Sequence, residues 1–395
     1  MIPPVMARLV AVAAVMALVL TGCVTATGTP DEPQDRPTRG VATTSSRSAP
    51  VDADARRTLA SMSLSQRVGQ LLMTGTAARR TDPRALRAVT RHHVGNVMLT
   101  GRSRRGVAAT ARVSARMQSR ATRAATDGVP LLVATDQEGG AVQVLTGRGF
   151  STMPSALRQG RRSSTALRAD ARHWGRQLRR AGVTMNLGPV LDTVPRGTAR
   201  TNLPIGAKKR HYGTSTTRVA TRGTAFAQGM RQVGVVPVAK HFPGLGRVTA
   251  NTDTTRRVVD RRTRRHDPYL RPFRTAVDAG VPVVMMSSAV YTRIDPDHAA
   301  AFSPTVIGSV LRGDLGFGGV VMSDDLSNAR AVGHLAVGER ATRFVGAGGD
   351  LVLAIDPADA GPMHRALLRR ARSDARFRAK VDAAALRVLT LKQQQ

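Results

Sequence analysis

VVPVAKHF, residues 235–242, is apolar for five residues and then ends on a lysine, a histidine and a phenylalanine. A strand with apolar side chains on both faces is buried on both faces, the condition of a parallel sheet covered by helices. Seven further runs share this character: VGQLLMTG (68–75), VGNVMLTG (94–101), VPLLVATD (129–136), VTMNLGPVLD (183–192), VPVVMMSS (281–288), GVVMSDD (319–325) and GGDLVLAID (348–356). The stretches between them are longer, polar and helically spaced. Over 164–181, Leu167, Ala171, Trp174 and Leu178 fall at i, i+4, i+7 and i+11 with arginines opposite, which predicts an amphipathic crossover helix. Eight strand-then-helix units predict an α/β fold of the (β/α)8, TIM-like barrel type, a single catalytic domain over 56–395 with its site at the carboxyl ends of the strands. An open doubly wound sheet is the alternative, but no Gly-x-Gly-x-x-Gly turn follows the first strand and there is no phosphate loop.

Polar residues cluster at those strand ends: Asp136, Glu138, Asp192, Lys240, His241, Ser287, Ser288, Asp324 and Asp325, with Arg210 and Asp253 on following loops. So much charge on one rim is costly unless it binds something polar. No His/Cys cluster has metal-ligand spacing and no Gly-x-Ser-x-Gly elbow occurs, so neither a metal nor a serine nucleophile is expected, and no cofactor. Carboxylates beside hydroxyl-reading cations point to sugar chemistry.

The amino-terminal residues carry one early arginine, an apolar run from Leu9 to Leu20, and Leu20-Thr21-Gly22-Cys23. The run is short for a membrane span and reads as a signal-peptide core over 1–22. Cys23 is the single cysteine, and its setting resembles the lipobox of bacterial lipoproteins, which implies cleavage before it and a lipid on its sulfur. The expected location is extracytoplasmic, on the outer face of the cell membrane. Residues 23–55, rich in Thr, Ser, Pro, Asp and Arg, read as a tether. The formal charge is +34, and of 60 basic residues only Lys208, Lys209, Lys240, Lys380 and Lys392 are lysines. Arginine of this density either decorates solvated helix faces or attracts anionic neighbours, headgroups or wall polymers, while nucleic acid is not expected outside the cytoplasm.

The motifs "DQEGGAVQ" (136–143), "NLGPVLD" (186–192), "IGAKKRHYG" (205–213), "KHFPGLG" (240–246), "FSPTVIGSVLRGDLGFGGVVMSDDL" (302–326) and "GERA" (338–341) together resemble glycoside hydrolase family 3. The likeness is to its single-domain bacterial β-N-acetylglucosaminidase (β-hexosaminidase) branch and spans Leu64 to Leu389. It implies a retaining exo-hydrolase that removes terminal β-linked GlcNAc from peptidoglycan-derived fragments of the GlcNAc-β-1,4-MurNAc type. Asp324 would be the nucleophile, forming a covalent glycosyl-enzyme, and Asp136, Arg210, Lys240 and His241 would hold the sugar. Glu138 and Asp192 join this binding set or support it from behind. Asp325 is the competing candidate for the nucleophile, but neighbours on a strand point in opposite directions, so only one of the two faces the sugar; its other reading is an orienting or helix-capping carboxylate.

Two departures from the family pattern stand out. Ala141 replaces a usual arginine, so one contact is missing or supplied elsewhere. After KHFPGLG, an Asp-x-His pair that normally supplies the acid/base is replaced by Asn251-Thr252-Asp253. Asp253 is then the candidate acid/base, Glu138 or Asp260 an alternative, and a catalytically weak glycan-binding lipoprotein the third reading. A related β-glycosidase or a GlcNAc phosphorylase is the other enzymatic alternative. Gly244 and Gly246 suggest a mobile loop. The run RRVVDRRTRR (256–265) reads as the basic start of an exposed helix, or as a contact for an anionic aglycone through Arg256 and Arg257.

Overall fold

Eight parallel strands close into a barrel in sequence order: β1 Leu72–Ala77, β2 Asn96–Thr100, β3 Leu132–Thr135, β4 Met185–Asn186, β5 Val236–Phe242, β6 Val283–Met286, β7 Val320–Asp325 and β8 Leu351–Ala354. β8 returns to β1, pairing Leu353 with Met73. The computed structural model describes residues 48–395, with side chains from residue 53. The expected leader, Cys23 and the tether as far as residue 47 lie outside the described residues.

The strands close because each presents one apolar row inward and one outward. Met73, Met98, Met185, Met285 and Met322 all belong to the cluster that fills the lumen. With aromatics at 3% of the chain, unbranched thioethers serve as gap-fillers where other barrels would use rings. The outward row meets helices such as Ser164–Arg180, capped by Ser163, whose side chain accepts from the Ala166 amide. That helix buries Leu167, Ala171, Trp174 and Leu178, the stripe its spacing predicts.

Four sequence expectations change on folding. The first half of the 68–75 run is helical, within Leu64–Gln70, because a capping box of Ser63 and Gln66 starts a helix that ends only at Leu71. The 183–192 run is a strand only over Met185–Asn186. Pro189 has no N–H to donate, yet the Pro189 carbonyl accepts from the Lys240 amide at 3.1 Å, so the segment stays attached to β5. The tether reading ends too late. A helix, Ser48–Ser61, begins inside it and buries Ala55 with Met62 and Leu389. Finally, the basic run is not a helix start: Val259–Arg264 is a strand, paired with Val290–Arg293. Asp260 and Thr263 are buried and Arg261, Arg262 and Arg264 exposed, a spacing of three that shows neither the strand period nor the helical one.

This small sheet stands behind the loop that follows β5. The Tyr291 hydroxyl donates to the Gly244 carbonyl at 2.9 Å, and Arg247 lies 3.4 Å over the Tyr269 ring while pairing with Asp267 at 2.9 Å. The two glycines have geometric reasons rather than the mobility expected of them. Gly244 has φ +132°, and a side chain on Gly246 would stand 1.9 Å from the Thr193 carbonyl oxygen.

Candidate active site

At the carboxyl end of the strands a cavity of about 340 Å3 opens, with Met98, Leu187, Met285 and Leu353 among its lining. Asp136 follows β3, Lys240 and His241 are the fifth and sixth residues of β5, and Asp324 is the fifth of β7. All four line the cavity, together with Arg210, Asn251 and Asp253 from loops.

The cations are held by carboxylates. Lys240 Nζ lies 2.6 Å from Asp136 Oδ1 and 2.7 Å from Glu138 Oε1. Arg210 grips Glu138 with both faces of its fork, Nη2 to Oε1 at 2.7 Å and Nε to Oε2 at 2.9 Å. Burial alone would push the Glu138 carboxyl up, but the charges of Arg210 and Lys240 outweigh it and hold the pKa at about 2. Burial likewise opposes the charge on Lys240, yet Asp136 and Glu138 raise its pKa. Glu138 does not reach the cavity wall, so it orients the two cations in place of the substrate contact expected of it.

Asp192 has a similar place. Its carboxylate is buried, accepts from the amides of His241 and Leu245 at 3.2 and 2.8 Å, and lies 2.7 Å from His241 Nδ1. With Asp192 ionised, Nδ1 carries the proton and Nε2 is the nitrogen left for other work. Asp192 too stands behind the wall.

Asp324 and Asp325 differ in their obligations. Asp325 accepts from the amides of Ser327, Asn328 and Ile355 at 2.9, 3.1 and 3.0 Å, and from Asn328 Nδ2 at 3.1 Å. It ties the turn after β7 to the end of β8, as an orienting carboxylate should. Among the described residues, Asp324 accepts only from the Asp325 amide, at 2.9 Å. Burial first, then the charge of Asp253, raises its pKa above the ordinary carboxylate value, while His241 and Lys240 partly offset the rise.

Asp253 is exposed at the mouth of the same cavity. The Asn251 side-chain oxygen accepts from its amide at 3.1 Å. The Thr252 and Asp253 carbonyls accept from the amides of Ala331 and Arg330, at 3.1 and 3.3 Å, which fastens the loop across to the segment after β7. The alternative carboxylates are elsewhere: Glu138 is committed, and Asp260 accepts from Arg262, from Thr263 and from the Thr263 hydroxyl, away from the cavity. Ser287 and Ser288 are buried outside the lining, and so are Arg256 and Arg257 outside it on the surface. The Ala141 carbonyl accepts from Arg102 at 2.8 Å, so a guanidinium does come to this stretch, from another loop. Sequence reasoning missed Lys208 and Asn328, which also line the cavity. Lys208 stood within a quoted motif, but its neighbour Lys209 offered the same charge.

The profile of the glycosyl hydrolase family 3 N-terminal domain matches residues 63–391. A beta-hexosaminidase of Stenotrophomonas maltophilia (strain K279a) is 35% identical over 238 residues, 58% of this chain and 68% of that protein. The crystal structure of a beta-N-acetylhexosaminidase from Beutenbergia cavernae DSM 12333 superposes with TM-score 0.84 at 50% identity, covering 84% of this chain and 99% of that one. A family 3 beta-N-acetylglucosaminidase from Paenibacillus sp. str. FPU-7 gives TM-score 0.77 at 32% identity, over 85% and 63% of the two chains. The matched residues take in all eight strands and every side chain of the cavity, and the chain belongs to glycosyl hydrolase family 3.

Proposed function

We propose that the protein is a retaining exo-β-N-acetylglucosaminidase that releases terminal GlcNAc from peptidoglycan fragments. The observation that carries this is Asp324, a carboxylate with one backbone donor, lining the same cavity as Asp136, Lys240 and Arg210, whose charged groups can bond sugar hydroxyls. A cavity of this volume is small for a binding site and suits a single ring, which fits attack at a chain end. In the first step an Asp324 oxygen bonds to C1 as the glycosidic C1–O bond breaks, and Asp253 gives its proton to the leaving oxygen. In the second, Asp253 takes a proton from water, the water oxygen bonds to C1, and the Asp324 carboxylate leaves. Closure of substrate over the exposed Asp253 removes water from it and prepares it to hold a proton.

The Asp253 assignment predicts a particular substitution pattern. Asp253→Asn should slow hydrolysis of poor leaving groups by about 10²–10⁴-fold, and of activated aryl leaving groups much less, since these depart without a proton. The basic limb of the pH–rate profile should disappear with it. Equal losses on both substrates, with the limb in place, would remove Asp253 from the role. Added phosphate should leave the rate unchanged, because water is the acceptor; a phosphate-dependent product would favour the phosphorylase alternative.

Lys208 supports the peptidoglycan reading. It is exposed on the cavity wall, and it makes no ion pair among the described residues, unlike Lys240 and Arg210. A free ammonium at the mouth suits a carboxylate on the aglycone, such as that of a muramyl residue. Lys208→Ala should therefore lower kcat/KM about 2- to 5-fold for a carboxylate-bearing aglycone, the worth of an exposed ion pair, and little for a neutral aryl glycoside. An equal effect on both would assign Lys208 to the fold. The same reading keeps the enzyme on the outer face of the membrane through Cys23; release of a Cys23→Ala chain into the medium checks it, and unchanged membrane retention would count against it.

A further inference from the structure

On the flank of the barrel, away from the catalytic cavity, a groove of about 370 Å3 runs between the helix Pro83–His92 and the start of the helix Ala360–Ser373. Arg84, Arg87 and Arg91 line one side at i, i+3 and i+7, the spacing of a single helix face, and Arg365 lines the other. None of the four is in an ion pair with any described residue, a state they share with Arg79, Arg80, Arg105, Arg112 and Arg116 in another groove. No Asp or Glu lines the groove. The carboxylates near it in sequence are Asp82, Asp356 and Asp359; Asp82 accepts from the Arg84 amide at 2.7 Å as the helix cap, and Asp356 turns back onto the Ala358 amide at 2.9 Å. The rest of the wall is His92 with alanine, proline and glycine. Burial, then the charges of Arg365, His93 and Arg91, lowers the pKa of His92, so the guanidiniums supply the positive field.

The groove is also elongated. Past Pro362 and Arg365, which it shares, it continues into a wider trough of about 560 Å3 that reaches Arg369 and Arg370 and has one carboxylate, Glu339, paired with Arg343 at 2.6 Å. Three features narrow the occupant. Guanidinium forks match phosphate oxygens in pairs, and a row seven residues long spans about 10 Å of helix, more than one phosphate group needs. The floor is concave, and Leu203, far away in sequence, is the exposed large apolar residue of the described chain, so nothing here would enter a bilayer. No Phe, Tyr or Trp lines the groove for bases to stack on, and its one ring, His92, packs against His364 with centroids 5.8 Å apart. We propose that this groove binds a linear soluble polymer with phosphodiesters in its backbone, holding the enzyme beside its substrate at a second site.

The test uses the full-length protein and synthetic poly(glycerol phosphate), with inorganic phosphate and phosphatidylglycerol vesicles as the other arms. Substituting Arg84, Arg87, Arg91 and Arg365 together by Ala should weaken polymer binding at least about tenfold and reduce the slope of log K against log salt by about 3 to 4. Hydrolysis of an aryl GlcNAc glycoside should not change. A charge-matched variant, Arg161, Arg172, Arg176 and Arg180 to Ala on and beside the helix Ser164–Arg180, should lose far less. Inorganic phosphate, a single group that meets one or two guanidiniums at a time, should bind the wild type only weakly. Equal losses in the two quadruple variants would mean diffuse charge and overturn the proposal, and so would a loss confined to vesicles. If the first quadruple variant folds poorly, the pair Arg87→Gln and Arg365→Gln carries the same test, with about threefold weaker polymer binding expected and an unchanged affinity overturning it.

Discussion

Asp324→Asn is expected to lower turnover of an aryl β-GlcNAc glycoside by about 10⁴-fold or more, the scale on which loss of a covalent nucleophile is felt, while raising the melting temperature at pH 7. The two effects share a cause. The carboxylate sits where burial and the nearby Asp253 charge make ionisation costly, which raises its pKa in the folded chain. An acid whose folded pKa exceeds its unfolded value favours folding below the unfolded pKa, and that contribution is lost as pH rises through the folded pKa. At neutral pH the ionised Asp324 therefore burdens the fold. Asparagine keeps an oxygen for the Asp325 amide and carries no charge, so the gain in melting temperature should shrink as the pH is lowered toward about 3.9, the value of an unperturbed aspartate. Thermal unfolding of both proteins across pH 3 to 8, with turnover at pH 7, measures this. Wild-type turnover in the variant would end the nucleophile assignment. A stabilisation that grows on acidification would end the electrostatic account.

Glu138→Gln should do the opposite, losing stability and binding together. Glu138 neutralises Arg210 through two bonds and Lys240 through a third contact; Glu138 and Lys240 are buried and Arg210 nearly so. Removing one member of such a group leaves charge without a partner, at a cost of about 3–5 kcal/mol. The drop of its carboxyl from 4.5 to about 2 corresponds to about 3 kcal/mol by linkage, of the same order. Its direction fixes the pH window. A depressed folded pKa gives stability that is complete above about 4.5 and lost as the pH falls toward 2, so the wild type and the variant should converge in that interval. Because Lys240 and Arg210 lose their alignment, KM should rise as well. Denaturant unfolding at pH 7 and pH 3 tests the claim; a cost below about 1 kcal/mol at pH 7 would show that Glu138 is not the counter-ion it looks to be.

How far the sequence reached follows from what kind of statement each residue had to support. The barrel was legible because double-faced burial leaves a mark, an unbroken apolar run, that needs no knowledge of neighbours. Asp136, Arg210, Lys240, His241, Asp253 and Asp324 were legible as a group because strand ends and the loops after them gather at one rim, and all six line one cavity. What could not be read was which polar residue faces the cavity and which faces its neighbours. Glu138 and Asp192 look like binding carboxylates until Arg210, Lys240 and His241 are found within bonding distance of them. Partners of that sort are 49, 72 or 102 positions away in the chain, beyond any local pattern. Short apolar runs also hide their state, and the capping box at Ser63 decided 68–70. The basic run 256–265 misled because an exposed face rich in arginine has no period, so its buried positions Asp260 and Thr263 were the whole signal.

The two backbone bonds that join Thr252 and Asp253 to Ala331 and Arg330 make the β5 and β7 loops a single jaw. Neither can be transplanted from a relative by itself without dragging the other out of register, so exchange of leaving-group preference, by selection or by design, has to proceed by swapping both loops as a cassette.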